Sequence, residues 1–109
     1  MSTTIQLERG AWQAYFDAAS RRLAGQQVEI EIAALDIGDQ IAAEWLPTLG
    51  LSYDVREDVL AVIAEGLNHM IHHPQQVFVE QEGDALRSVQ ATDADGRSQI
   101  IRFRPPPSA

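Results

Sequence analysis

The chain contains no cysteine and no lysine, and its seven glycines lie singly along 109 residues. Without cysteine there is no disulfide, no thiol nucleophile and no thiolate metal ligand, a composition that fits a reducing cytoplasm. Without lysine, Schiff-base chemistry, a phosphate-gripping P-loop lysine and a Ser–Lys dyad are excluded. Isolated glycines leave no Gly-rich phosphate loop. The longest apolar run, Val59 to Ala64, is far shorter than the roughly 20 residues a helix needs to cross a bilayer. The opening MSTTIQLERGAW lacks the basic stretch and apolar core of a signal peptide. No serine sits in a nucleophile-elbow context. No catalytic or cofactor-binding residue is therefore assigned, and the expected role is non-enzymatic.

Charge of one sign is also scarce. Residues 26–84 carry twelve Asp and Glu against one basic side chain, Arg56, and the whole chain has a formal charge of −8. Such a middle repels phosphates, so neither nucleic acid nor an anionic membrane surface is an expected partner. A basic protein partner would suit it, although charge of this kind also simply keeps proteins dispersed.

With 45% apolar residues in 109, one domain spanning 1–109 is expected, folded over about 8–104 and ending in a Pro-rich tail at 105–109. A chain this size buries roughly two-thirds of its unfolded surface. Trp12, Tyr15, Phe16, Ala19 and Leu23 form one apolar stripe, predicting a helix from Glu8 to Ala24. Arg21 and Arg22 complement its dipole, Gly25 stops it, and Gly10 weakens its first turn.

From Gln27 the period becomes two. Val28, Ile30 and Ile32 alternate with Glu29 and Glu31 as a half-buried strand. LDIGD at 35–39 reads as a turn with Gly38 at positive φ. Ile41, Ala43 and Trp45 predict a second strand that Pro47 ends, and Leu51 to Val55 a third. DVRED at 54–58 is a tight connection, and Val59–Ala64 is a strand covered on both faces. Strands are expected at 76–80, 84–92 and 98–104, the last two joined by a glycine-closed turn at Asp93–Gly96. That turn resembles the opening of a calcium loop, but its fifth and twelfth positions are Arg97 and Arg104, both cations.

The expected class is α+β: an N-terminal helix packed on a curled, mostly antiparallel sheet of six or seven short strands, or a partly open barrel.

The segments GAWQAYFDAASRRLAG, IGDQIAAEWLPTLGLSYD, DVLAVIAEGLNHMIHHP and DADGRSQIIRFR resemble a bacterial domain-of-unknown-function family, number 5335 of that series. The likeness runs from about Glu8 to Arg104. Its motifs are structural, so it implies a single bacterial domain and carries over no functional residue.

Three features remain as candidates. All three histidines lie in EGLNHMIHHP at 65–74. Read as a two-turn helix before Pro74, this stretch puts Leu67, Met70 and Ile71 on one face and His69, His72 and His73 on the other. His69 and His73, at i and i+4, could then grip one metal ion with Glu65 approaching from the preceding strand. The simpler reading is the wet face of an amphipathic turn. Glu29 and Glu31, roughly 7 Å apart on one strand face, match a glycosidase spacing but equally the polar half of an alternation. Trp45 and Leu46 beside Pro47 are candidate interaction residues at a strand end. The expectation is a small cytoplasmic accessory or interaction domain, associating as a homodimer through a strand edge. The alternatives are a metal-binding or hydrolytic site on His69, His72 and His73 with Glu65, and an acidic surface for a basic protein.

Overall fold

The computed structural model describes residues 2–34 and 38–106. Its elements run β1 (Ser2–Leu7), a 3-10 turn (Arg9–Ala11), α1 (Trp12–Leu23), β2 (Gln27–Ala34), β3 (Gly38–Asp54), β4 (Val59–Ala64), β5 (Leu67–His72), β6 (Gln76–Glu82), β7 (Ala85–Thr92) and β8 (Ser98–Arg104). The strands form one sheet in the order β1-β6-β7-β8-β2-β3-β4-β5. Every neighbouring pair is antiparallel. The sheet is not closed, since β1 and β5 lie at its two ends. Among the described residues it is thus a mostly β structure with one helix, and eight strands replace the six or seven expected.

The helix forms where the apolar stripe predicts it. Trp12, Phe16 and Leu23 are buried in the core, with Tyr15 and Ala19 packed at its margin. Its first turn tightens to 3-10 around Gly10, which has the weakest helix preference there. Gly25 at φ 89° releases the chain into β2. Trp12 meets Tyr53 edge-on at 5.1 Å between ring centres. Truncating an aromatic anchor of this kind typically costs about 3–5 kcal/mol.

Three expectations require correction. The helix is not the first element, because β1 precedes it and pairs with β6 along its whole length. The two strands predicted at 41–45 and 51–55 are one strand of 17 residues. Pro47 does not end it, because Pro47 sits where β3 hands over from β2, its partner up to that point, to β4, its partner from Thr48 onward. At such a junction the missing amide of Pro47 interrupts no ladder, while its carbonyl accepts from the Glu65 amide at 2.9 Å. Trp45 takes φ 53° in a bulge where Glu44 and Trp45 together oppose Glu29, the kink that lets one strand serve both parts of the sheet. The third correction concerns 65–73, which is a strand and not a helix.

The second half of β3 is covered by the helix. Ser20 Oγ accepts from the Leu51 amide at 3.0 Å. Gly50 permits that approach, since a Cβ there would lie 2.7 Å from the same oxygen. Of the turn predicted at LDIGD, 35–37 lie outside the described residues, and Gly38 has the expected positive φ of 69°. The hairpin at Asp93–Gly96 forms as predicted: Gly96 takes φ 81°, and Asp93 Oδ1 accepts from the amides of Asp95 and Arg97 at 3.0 Å each.

Candidate functional site

The histidine stretch is built by a hairpin. Glu65 and Gly66 turn the chain, Gly66 at φ 81°, and β5 runs back along β4 with Leu60 opposite Ile71 and Val62 opposite His69. A six-residue window fits a helical period and a two-residue period almost equally; pairing with β4 decides in favour of the strand. The consequence is that the histidines separate. His69 shares the inner face with Leu67 and the buried Ile71, while His72 points outward with Asn68 and Met70. His73 lies beyond the strand, and Glu65 lies beyond its opposite end. Six residues of strand span roughly 17–20 Å, so Glu65 and His73 are not brought together. Among the described residues no group of three or more His, Asp or Glu converges to hold a metal.

His69 instead ties two distant strands together. Its Nε2 lies 2.8 Å from Gln99 Oε1 on β8, and the buried Gln99 donates through Nε2 to Asp93 Oδ2 at 3.1 Å. Asp93 can only accept, so the amide is oriented with its oxygen towards His69, which therefore presents an N–H. In the strand order β2, β3 and β4 lie between β8 and β5. This bond shows how far the sheet curls.

His73 joins a cluster that no sequence pattern announced. Asp58 Oδ1 accepts from the Tyr53 hydroxyl at 2.6 Å and from Arg9 Nη1 at 3.1 Å. Its Oδ2 faces His73 Nδ1 at 3.2 Å. Arg9 also donates to the Pro74 carbonyl at 2.9 Å and stacks over Trp12, 4.5 Å from the ring centre. Asp58 and His73 both hold positive φ, 54° and 52°, a strain that needs surrounding contacts to persist. The Tyr53 hydrogen bond, with those from His73 and Arg9, holds the Asp58 carboxyl below its ordinary value. Burial, then the Asp58 carboxylate, pushes the Tyr53 phenol up. An ionised Asp58 and a protonated Tyr53 bonded to each other leave neither free as base or nucleophile. The cluster is a clasp that joins three separate chain segments, 9–12, 53–58 and 73–74, beside an open cleft of about 470 Å³. The only sequence hint of it was the tight DVRED turn, where aspartate tolerates a left-handed backbone.

Elsewhere the sequence candidates are engaged within the protein. Arg102 Nη1 bridges Glu29 and Glu31 at 3.0 and 2.9 Å, lowering the Glu31 carboxyl first through that hydrogen bond and then through one with Asp39. Asp39 in turn is raised by the Glu31 hydrogen bond and charge. The Trp45 ring carries the Arg104 guanidinium at 4.0 Å, and Leu46 packs against the core.

What remains open is the outer side of the β4–β5 hairpin. Neither strand carries an Asp, Glu or Arg. Val59 and Ile63 are half-buried, Ala61 is buried, and Met70 is 45% exposed. Beyond β5 the sheet order ends, leaving one side of its backbone without a ladder partner among the described residues.

These features define a class: one helix seated on an open, curled antiparallel sheet, clasped at one corner and bare at its end strand. The chain belongs to the DUF5335 family, described as a family of unknown function, whose model matches residues 3–109. A relative in Aquifex aeolicus (strain VF5), named an uncharacterized protein, is 35% identical over 103 residues, covering 94% of this chain and 93% of its own. No solved structure matches the chain.

Proposed function

We propose that this chain is a small cytoplasmic, non-enzymatic accessory domain that works by protein association, with the β4–β5 hairpin as its binding element. The observation that carries this reading is the conjunction on that hairpin of an unpaired strand edge with an uncharged, partly apolar outer face, on a chain of net charge −8. An edge strand offers backbone donors and acceptors to an added strand, and natural edges are usually guarded by charge, proline or a bulge. β5 has none of these within Leu67–His72, and its ladder with β4 is regular throughout. Among the described residues no helix is long and apolar enough to cross a membrane.

The test is a photo-crosslinking residue placed at His72, on the outer face of β5, or at Gln90, exposed on β7, with the protein in its native cells. Covalent adducts from position 72 and none from position 90 are expected. Equal labelling from both positions, or no adduct from 72, contradicts the reading.

A further inference from the structure

We infer that the cavity between α1 and the β6–β7 hairpin is a binding site for a short monocarboxylate of acetate size, gripped by Arg22. None of its residues belongs to the β4–β5 hairpin, so the site stands apart from the association reading.

Three features of the chain build the cavity. Ala18 and Ala19 are too small to fill the space between helix and hairpin, and about 100 Å³ is left. Gln81 follows the buried Val77 and Val79 on the inner face of β6 by the two-residue period. A bulge after Glu80 skips Arg87 in the register and sets Leu86 opposite Gln81. Leu86 is thereby buried on the same side as Val89, three residues on, where strict alternation would have parted them. An apolar lining of Ala18, Ala19 and Leu86 thus meets the polar side chains of Tyr15, Gln81 and Arg22.

That polar lining has donors to spare. Tyr15 and Gln81 bond each other, the amide donating to the phenol oxygen. The Tyr15 proton is then left without an acceptor; with the amide turned round, a Gln81 N–H is left instead. Burial pushes the Tyr15 phenol above its ordinary value, against smaller opposing effects of the Gln81 bond and the Arg22 charge. The phenol therefore keeps its proton at neutral pH. Arg22 Nη1 donates to the Asp84 carbonyl at 3.2 Å, which holds the guanidinium beside the cavity. Among the described residues Arg22 forms no ion pair, so most of its N–H groups are unused. A spare neutral donor beside an unpaired guanidinium calls for an anionic acceptor. The planar fork of arginine suits the two oxygens of a carboxylate.

Size and lining narrow the ligand further. An apolar cavity of about 150 Å³ admits benzene, so the 100 Å³ here has room for about four heavy atoms, the size of acetate. The alanines and Leu86 favour a methyl group, which nitrate and bicarbonate lack. Asp84 also lines the cavity, and its exposed carboxylate and the net charge of −8 weaken binding and disfavour dianions. So small a ligand binds in roughly the millimolar range.

Two-dimensional proton–nitrogen NMR at constant ionic strength tests the site, with sodium acetate replacing sodium chloride. The amides of residues 18–22 and 81–86 are expected to shift saturably, and those of β4 and β5 to stay in place. Propionate is expected to act like acetate, whereas methylammonium and benzoate give no saturable shift. Arg22→Gln is expected to weaken acetate binding at least tenfold. Arg21→Gln removes the same charge from an exposed side chain outside the cavity and is expected to bind as wild type does. The spectrum of each variant shows directly that it is folded. Shifts with acetate that stay linear, equal weakening by Arg21→Gln and Arg22→Gln, or saturable binding of methylammonium overturns the inference. Benzoate binding as tightly as acetate overturns the size class. None of these results bears on cross-linking at His72, so the association reading stands or falls separately.

Discussion

The sheet ends in two short strands of six residues, β1 and β5, neither of which carries a charged side chain. Their surroundings differ. β5 presses Ile71 into the core at 1% exposure, while the isoleucine of β1, Ile5, is 42% exposed. β5 is pinned twice, by His69 to Gln99 at 2.8 Å and, just past its end, by His73 to Asp58 at 3.2 Å. β1 has its ladder to β6 and, at its last residue, the Trp12 Nε1 bond to the Leu7 carbonyl at 3.1 Å. An edge held in one conformation gives an incoming strand a template whose ordering entropy has already been lost in folding. An edge laid over solvent does not. The lesson is that two equally uncharged end strands can differ in how firmly the core and their side chains hold them.

The comparison breaks or sharpens most clearly on the two isoleucines. Ile71→Ala is expected to cost about 2–5 kcal/mol of unfolding free energy in urea titrations, the range for a buried isoleucine. Ile5→Ala is expected to stay within about 0.5 kcal/mol. Similar values for the two would erase the difference between the ends.

Next in size is the clasp. Asp58→Ala leaves the half-buried Tyr53 hydroxyl without its acceptor and Arg9 with only its bond to the Pro74 carbonyl, an expected loss of about 1–3 kcal/mol. The loss depends on pH in a defined direction. The folded Asp58 carboxyl lies below its ordinary value, chiefly because of the Tyr53 hydrogen bond. Its contribution is therefore complete above about pH 3.9, the ordinary aspartate value, and disappears as the pH falls below it through the depressed value. Thermal melts of wild type and variant are expected to differ at pH 7 and to converge in stronger acid.

A smaller effect is expected at Gly50→Ala. The new Cβ would displace Ser20 Oγ, which stands 2.7 Å from its position, and so break the bond to the Leu51 amide. A loss of about 1 kcal/mol in urea titration follows, the usual value for one hydrogen bond. Because β4 and β5 hang from this half of β3, amide exchange on β5 should quicken and that on β1 should not.

The smallest effect belongs to Asp39→Asn, which touches neither end strand and serves as a control. Asp39 is raised by its hydrogen bond and repulsion with Glu31. A raised carboxyl favours the fold in acid and weighs against it once ionised. The variant should melt slightly higher than wild type at pH 7, with the advantage gone at pH 3, and β5 and β1 should respond alike.

Much of the architecture was legible in the sequence. The helix stripe, the alternation of β2 and the Asp93–Gly96 turn depend on neighbours close along the chain, and each formed as its pattern implied; the apolar run of β4 formed a strand, but one whose outer side is open and not covered on both faces. β3 was misread because Pro47 looks like a terminator, and only its place between two partner strands shows why it is tolerated. β5 was misread because Leu67, Met70 and Ile71 satisfy a helical wheel as well as Leu67, His69 and Ile71 satisfy a strand. The clasp was illegible for another reason. Arg9, Asp58 and Pro74 are separated by 49 and 65 positions from the first of them, and nothing local marks such partners. The histidines were singled out as a group, yet the fold gives each a different task.

The firmer anchorage of β5 is tested most directly by hydrogen–deuterium exchange of backbone amides in β5 and β1. The amides of Leu67–His72 that are bonded to β4 are expected to exchange slowly, while those of Ser2–Leu7 exchange rapidly. Fast exchange of β5, or equal protection of both end strands, would contradict the account.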